Sequence, residues 1–183
     1  MYNSIHNSDL AKTRELVIYV AEKLKECNGY GATLLNKALY FIDNTSYLQY
    51  KKPVSNFKYI KQDFGPTPAP NQLLSLKDNL ISNGEAEEIK VNFMGLSQRK
   101  LIPSREADMG YFDRQEIELI DRVIESLSTH NATSISNYTH KFISWKIAKN
   151  NEDLPFFSYF LTSKIPSEKD ITWASNIIKS YSN

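Results

Sequence analysis

The sequence predicts a mainly helical α+β protein, with six or seven helices around a small antiparallel β-sheet of two or three strands. Apolar residues recur at helical spacing in both halves of the chain, whereas residues 88–94 alternate between apolar and polar, as in a half-buried strand. The length of 183 residues fits one domain spanning residues 1–183, and no internal repeat divides it.

Two helices are predicted in the first fifty residues. The first covers residues 9–27, with Ser8 as its N-cap and Gly29 at its end. The second covers residues 33–50 and places Leu35, Ala38, Leu39 and Ile42 on one apolar face.

A proline-rich stretch, FGPTPAP at residues 64–70, separates a predicted strand at residues 57–62 from a third helix. We expect Thr67 to cap this helix and Pro68 to take the first helical position, where a missing N–H is tolerated. The helix then covers Pro70–Ser82 and stops at Asn83-Gly84.

The remainder of the chain is predicted to start with a hairpin and to end in helices. A strand at residues 88–94 is followed by a turn at Gly95 and by a second strand near residues 99–102. Asp113 and Glu116 have the spacing of a capping box at the start of the next helix. Two further helices are expected over residues 133–150 and 168–181, on either side of an aromatic segment, PFFSYFL, that begins at Pro155.

Composition argues against several classes of partner and site. The 22 basic and 21 acidic residues leave a net charge of +1, without the basic excess of a nucleic-acid-binding protein. A single cysteine, Cys27, provides neither a disulfide framework nor a cysteine metal cluster. Without a signal peptide or an apolar run of bilayer length, we expect a soluble, cytoplasmic protein with no membrane partner.

No familiar catalytic motif is present. Phosphate-binding glycine loops, the nucleophile elbow and the zinc-protease helix are all missing from the sequence. The histidines His6, His130 and His140 have no metal-ligand spacing, so we predict no cofactor and no metal. One enzymatic alternative remains open, in which Asp43 and His140 converge as acid and base.

The second helix also carries a polar face. At 100° per residue, Asn36, Lys37, Tyr40, Asp43 and Asn44 fall together, roughly 80° to 200° from Leu35. This face is either solvated, or covered by the rigid FGPTPAP turn to form one wall of a binding surface. Both interpretations remain open, as does a purely connecting role for the turn.

Four segments in order, LNKALYFID, YIKQDFGPTPAPNQLLSLK, FDRQEIELIDRVIESL and YTHKFISWKIAKNNEDLPF, resemble the Panacea domain of SocA-like antitoxins. The lysine–aromatic–acid helix of the family pattern is matched by Lys37, Tyr40, Phe41 and Asp43. Its glycine-proline turn is matched by Phe64, Gly65 and Pro66, and its histidine before a tryptophan by Thr139, His140 and Trp145. The resemblance covers roughly residues 10–160.

The resemblance implies a bacterial or phage antitoxin that binds and neutralises a small cognate toxin, or an adaptor that delivers the toxin to a protease. Neither role requires a catalytic residue. No zinc finger or DNA-binding helix-turn-helix precedes the domain, so autoregulation by direct DNA binding is not expected. The predicted toxin-binding residues are Asn36, Lys37, Tyr40, Asp43, Phe64, Gly65, Pro66 and His140. Among them we expect Tyr40, Phe64 and His140 to contribute most to the affinity.

Overall fold

The computed structural model describes residues 2–27, 29–93, 95–161 and 167–181 and confirms the α+β, mainly helical class. Within these residues there are seven α-helices and two small antiparallel sheets. The helices are α1 (Tyr2–Leu24), α2 (Ala32–Tyr50), α3 (Pro70–Ser82), α4 (Arg114–Ser128), α5 (Ala132–Thr139), α6 (Ile143–Ile147) and α7 (Glu168–Tyr181). The strands are β1 (Tyr59–Ile60), β2 (Thr67–Pro68), β3 (Ala86–Phe93) and β4 (Leu96–Pro103).

Helix α2 lies at the centre of the fold. It contacts α1, α4 and α5, together with β2, β4 and the short 3-10 helix at Phe156–Phe160. Its apolar residues Leu34, Leu35, Ala38, Leu39 and Ile42 are all buried in the main core. Because neighbours surround α2 on several sides, its polar face is enclosed as well as its apolar one.

The proline-rich stretch folds differently from the prediction. Thr67 and Pro68 form β2, which pairs antiparallel with β1 in the register Tyr59↔Pro68 and Ile60↔Thr67. Thr67 is therefore not the cap of α3, because the capping position is held by Ala69, and Pro70 occupies the start of the helix. The predicted bounds of α3 are confirmed.

The hairpin and the capping box agree with the sequence. Strands β3 and β4 pair along their whole length, from Ala86↔Pro103 to Phe93↔Leu96, and are longer than predicted. At the start of α4 the Asp113 carboxylate accepts the Glu116 amide at 2.9 Å, and the Glu116 carboxylate accepts the Asp113 amide at 3.1 Å.

Helix α1 differs from its prediction at both ends. It begins at Tyr2 and ends at Leu24, so Ser8 lies within the helix rather than at its start, and Cys27 lies beyond it. The turns before residue 9 were missed because Ser8 was interpreted as an N-cap, and serine also occurs inside helices.

The helix predicted over residues 133–150 is broken into α5 and α6, with His140 as the C-cap of α5. In an unbroken helix His140 and Trp145 would project about 140° apart. The break instead brings their rings face to face, with centroids 3.9 Å apart and planes inclined by 15°. The Trp145 indole N–H also donates to the Gln62 carbonyl at 3.2 Å, which ties α6 to the segment before the proline turn.

Candidate functional site

A cleft of about 350 Å³ lies between α2, the proline-rich stretch and α3. We call it the proline cleft, and its lining includes Asn36, Lys37, Phe64, Pro68, Leu73 and Leu74. Two large apolar side chains on it are open to solvent, since Phe64 is 70% exposed and Leu74 is 54% exposed. The FGPTPAP turn therefore does pack over α2, as one of the two sequence interpretations required.

Gly65 allows the turn to approach α2 closely. Its φ of +98° lies in the region that residues with a side chain rarely adopt, and its amide donates to the Gln62 carbonyl at 2.8 Å. A Cβ at this position would collide with Thr139 Oγ1 and would lie 2.9 Å from Cε of Lys37. Glycine is thus required here both by the backbone conformation and by the lack of space.

Lys37 lies directly beneath the turn. Its side chain is 1% exposed, and Nζ donates a hydrogen bond to the Pro66 carbonyl at 2.7 Å. No carboxylate among the described residues forms an ion pair with it, and burial lowers the pKa of the amine to about 7. The amine therefore joins the N-terminal part of α2 to the backbone of the glycine-proline turn.

Asp43 lies on the same helix and is completely buried. Oδ1 accepts the amides of Val54 and Ser55 at 2.9 and 2.8 Å, and Oδ2 accepts the hydroxyls of Ser55 and Tyr59. Burial raises the pKa of this carboxyl, while the four hydrogen bonds act in the opposite direction. Asp43 thus fastens α2 to the loop that leads into β1.

The polar face of α2 is therefore not solvated. Tyr40 is buried with its ring edge-on to Phe41 and Tyr59, and Asn44 is buried as well. Tyr40 and Asp43 both belong to the buried interior, so we expect substitutions at either position to disturb the fold. Asn36 alone among the polar-face residues is half-buried and lines the proline cleft.

His140 lies close to the buried amine. It is half-buried, its Nε2 is enclosed without a hydrogen-bond partner, and its pKa is lowered by burial and by the positive charges of Lys37 and Lys61. The Lys61 amine lies 4.3 Å from the centre of the Trp145 ring, on which the imidazole also stacks. His140 is not among the four hydrogen-bond donors that surround Asp43, so the two do not form the acid–base pair of the enzymatic alternative.

The structure thus brings Lys37, Gly65, Pro66 and His140 together and places Tyr40 and Asp43 in the interior. Sequence reasoning missed Ser55 and Tyr59 as partners of Asp43, and no local signal identifies them. Thr139 was part of the family pattern but was not selected, although its hydroxyl faces Gly65 directly. A role of the eight predicted residues in binding a toxin stays a prediction.

No group of three or more histidine, cysteine, aspartate or glutamate side chains in the part of the chain that the structure describes is placed to hold a metal ion. None of the helices in those residues combines the length and the apolar character needed to cross a bilayer.

Comparison with known proteins gives a family match. No curated protein and no solved structure matches the chain. Residues 35–146 match the family model described as antitoxin SocA-like, Panacea domain. The match covers more than half of the chain and runs from the start of α2 to α6, so it includes Lys37, Asp43, the proline-rich stretch and His140. The protein therefore belongs to the SocA-like antitoxin family with a Panacea domain.

Proposed function

We propose that this protein neutralises a small cognate toxin by direct contact, and that the toxin docks at the proline cleft. The observation that carries the proposal is the exposure of Phe64 on a turn whose backbone is fixed from below. The Phe64 ring is 70% exposed, and the backbone that carries it is already fixed. A partner that covers the ring therefore does not have to order this backbone.

The cleft has the features of a contact surface. Phe64 and Leu74 offer apolar area at its rim, and Asn36 offers a half-buried amide for hydrogen bonding. In this proposal Phe64 and Asn36 contact the toxin at the rim of the cleft, and the backbone of Gly65 and Pro66 positions Phe64. Lys37 lies beneath them and bonds to the Pro66 carbonyl. Neutralisation of this kind requires no catalytic group.

The first experiment co-expresses the protein with the product of the neighbouring gene. We expect the neighbour alone to stop growth, the pair to restore growth, and the two proteins to copurify. An absence of toxicity from the neighbour together with an absence of any copurifying partner would contradict the proposal.

A matched pair of variants locates the contact. Phe64→Ala removes the exposed ring of the proline cleft, and Phe157→Ala removes a ring of similar exposure, 64%, that lies outside it. We expect Phe64→Ala to weaken toxin binding at least about tenfold, as for a typical interface anchor, and Phe157→Ala to leave it unchanged. Equal effects of the two variants would exclude the proline cleft as the docking site.

Delivery of the toxin to a protease is the second candidate function, because an adaptor needs a second docking surface. Exposed apolar residues outside the proline cleft, Phe157, Phe160 and Leu161, provide one. In that case growth is restored only while a protease is active, and Phe157→Ala abolishes the loss of toxin without preventing toxin binding. Toxin levels followed in protease-deficient cells distinguish delivery from sequestration.

A further inference from the structure

The amine of Lys37 is a buried basic group to which the described residues supply no anionic partner. Of its three possible N–H donors, one is accepted by the Pro66 carbonyl, and no ion pair involves this amine in the described ranges. Removing an ammonium group from water is costly unless a charged partner compensates it. The lowered pKa has the same origin, because burial acts on the amine without an opposing acid.

The charged groups around the amine do not compensate it. Lys61 is itself a cation, and the pKa of His140 is lowered by burial and by the positive charges of Lys37 and Lys61, so neither residue supplies a negative charge. Asp43, on the same helix, has both carboxylate oxygens occupied by the donors of Val54, Ser55 and Tyr59.

The two charged side chains at the rim of the cleft are directed to other groups. Lys77 is paired with Glu88 at 2.5 Å. Asp63 is exposed, and its Oδ1 faces the Asn150 amide at 3.4 Å.

We propose that the proline cleft receives a carboxylate side chain of the toxin, which pairs with the amine of Lys37. The inference rests on the proposed function and adds the chemistry of the group that enters. A carboxylate that reaches a largely buried amine is shielded from water, and charge-assisted hydrogen bonds of that kind are short and strong. Three features fit such an occupant: the Lys37 amine has no anionic partner among the described residues, Lys37 lines the cleft, and the rim of the cleft is apolar.

A measurable consequence is the uptake of a proton. Near neutral pH the free amine is only partly protonated, since its pKa is lowered to about 7, and a bound carboxylate favours the protonated form. Bound carboxylate therefore raises the pKa of Lys37, and the affinity for the carboxylate falls as the pH rises above 7.

The decisive experiment uses acetate as the probe and does not need the toxin. The full chain is labelled with 13C at the lysine Cε positions, and the Lys37 signal is assigned by its loss in Lys37→Met. The pKa of Lys37 is then measured by following this signal by NMR as the pH is changed. Chloride and acetate solutions of equal ionic strength are compared. If acetate binds the ammonium form with a Kd of about 10 mM, 0.1 M acetate raises the pKa of Lys37 by about one. An identical pKa in the two solutions would overturn the proposal.

A second arm tests the toxin itself once the co-expression experiment has supplied it. At pH 6.5 we expect Lys37→Met to weaken binding by roughly 30-fold or more, as for a shielded charge pair, and Lys77→Met to leave it unchanged. Lys77 is the matched control because it lines the same cleft but is paired with Glu88. Unchanged binding by a folded Lys37→Met protein would refute the carboxylate contact. If the neighbouring gene product proves not to be a toxin, the proposed function fails, whereas the acetate titration still decides what the cleft binds.

Discussion

The substitution Asp43→Ala tests the view that Asp43 fastens the fold rather than contacting a partner. It leaves the buried amides of Val54 and Ser55, now 2.9 and 2.8 Å from the carboxylate, without an acceptor. Each unsatisfied buried donor costs about 1–3 kcal/mol, and the hydroxyls of Ser55 and Tyr59 can turn to other acceptors, so we expect a loss of about 3–5 kcal/mol. For a chain of this size the corresponding fall in Tm is about 6–20 °C.

Urea denaturation followed by circular dichroism at 222 nm measures this loss as a change in the free energy of unfolding. Asp78→Ala, at an exposed position of α3, is the matched control and is expected to change stability by less than about 0.5 kcal/mol. Asp43→Asn keeps one oxygen for the two amides and should lose less than Asp43→Ala. A loss below about 1 kcal/mol for Asp43→Ala would show that the carboxylate is not the fastening point described above.

Three further predictions use the same denaturation assay. Gly84 has a φ of +71° and no atom within 4 Å of an added Cβ, so Gly84→Ala should cost only about 1 kcal/mol of backbone strain. Gly65→Ala should cost about 1–3 kcal/mol more, because the added Cβ also meets Thr139 and Lys37. Equal losses in the two variants would refute the close approach of the turn to α2. The pKa of Lys37 is about 7 in the folded protein, against an ordinary value of 10.5. At a pH between these two values the unfolded chain therefore binds more protons at Lys37 than the folded chain does. The free energy of unfolding should accordingly rise between pH 7 and 8.5 by up to about 1.4 kcal/mol per pH unit. Lys37→Met should remove that rise, and a slope that persists in this variant would assign it to another group. Asp113→Ala should cost about 1 kcal/mol through loss of the capping box at α4, and an unchanged midpoint would contradict that role.

Local patterns predicted the elements whose causes are local. The capping box of α4 was found because its two partners lie three residues apart along the chain. The bounds of α3 were found as well, but its predicted cap, Thr67, and predicted first residue, Pro68, belong to β2. The break after α5 was not found, since residues 140–142 contain neither glycine nor proline. Its cause is the stacking of His140 on Trp145 and the bond from Trp145 to Gln62, which only the folded chain brings together.

The site was predicted in part for a similar reason. Helical periodicity correctly grouped Lys37 and Asp43 away from the apolar stripe, and the packing of the turn over α2 was one of the interpretations that the sequence left open. Periodicity alone cannot distinguish a polar face in water from one that is buried against distant donors and acceptors. For Asp43 those partners are Ser55 and Tyr59, and for Lys37 the partner is a backbone carbonyl, which leaves no trace in the sequence.

Lys37 holds the proline turn through a hydrogen bond to a main-chain atom of the turn. Lys37 bonds to the carbonyl of Pro66, and the turn itself is closed by the Gly65 amide and the Gln62 carbonyl. None of these bonds involves the exposed side chains of Asp63 or Phe64. Substitutions at these two positions can therefore alter specificity while the scaffold remains intact, as in an antibody loop on its framework. In the proposed docking mode, the turn is accordingly the place where a Panacea domain can diversify, or be engineered, towards a new partner.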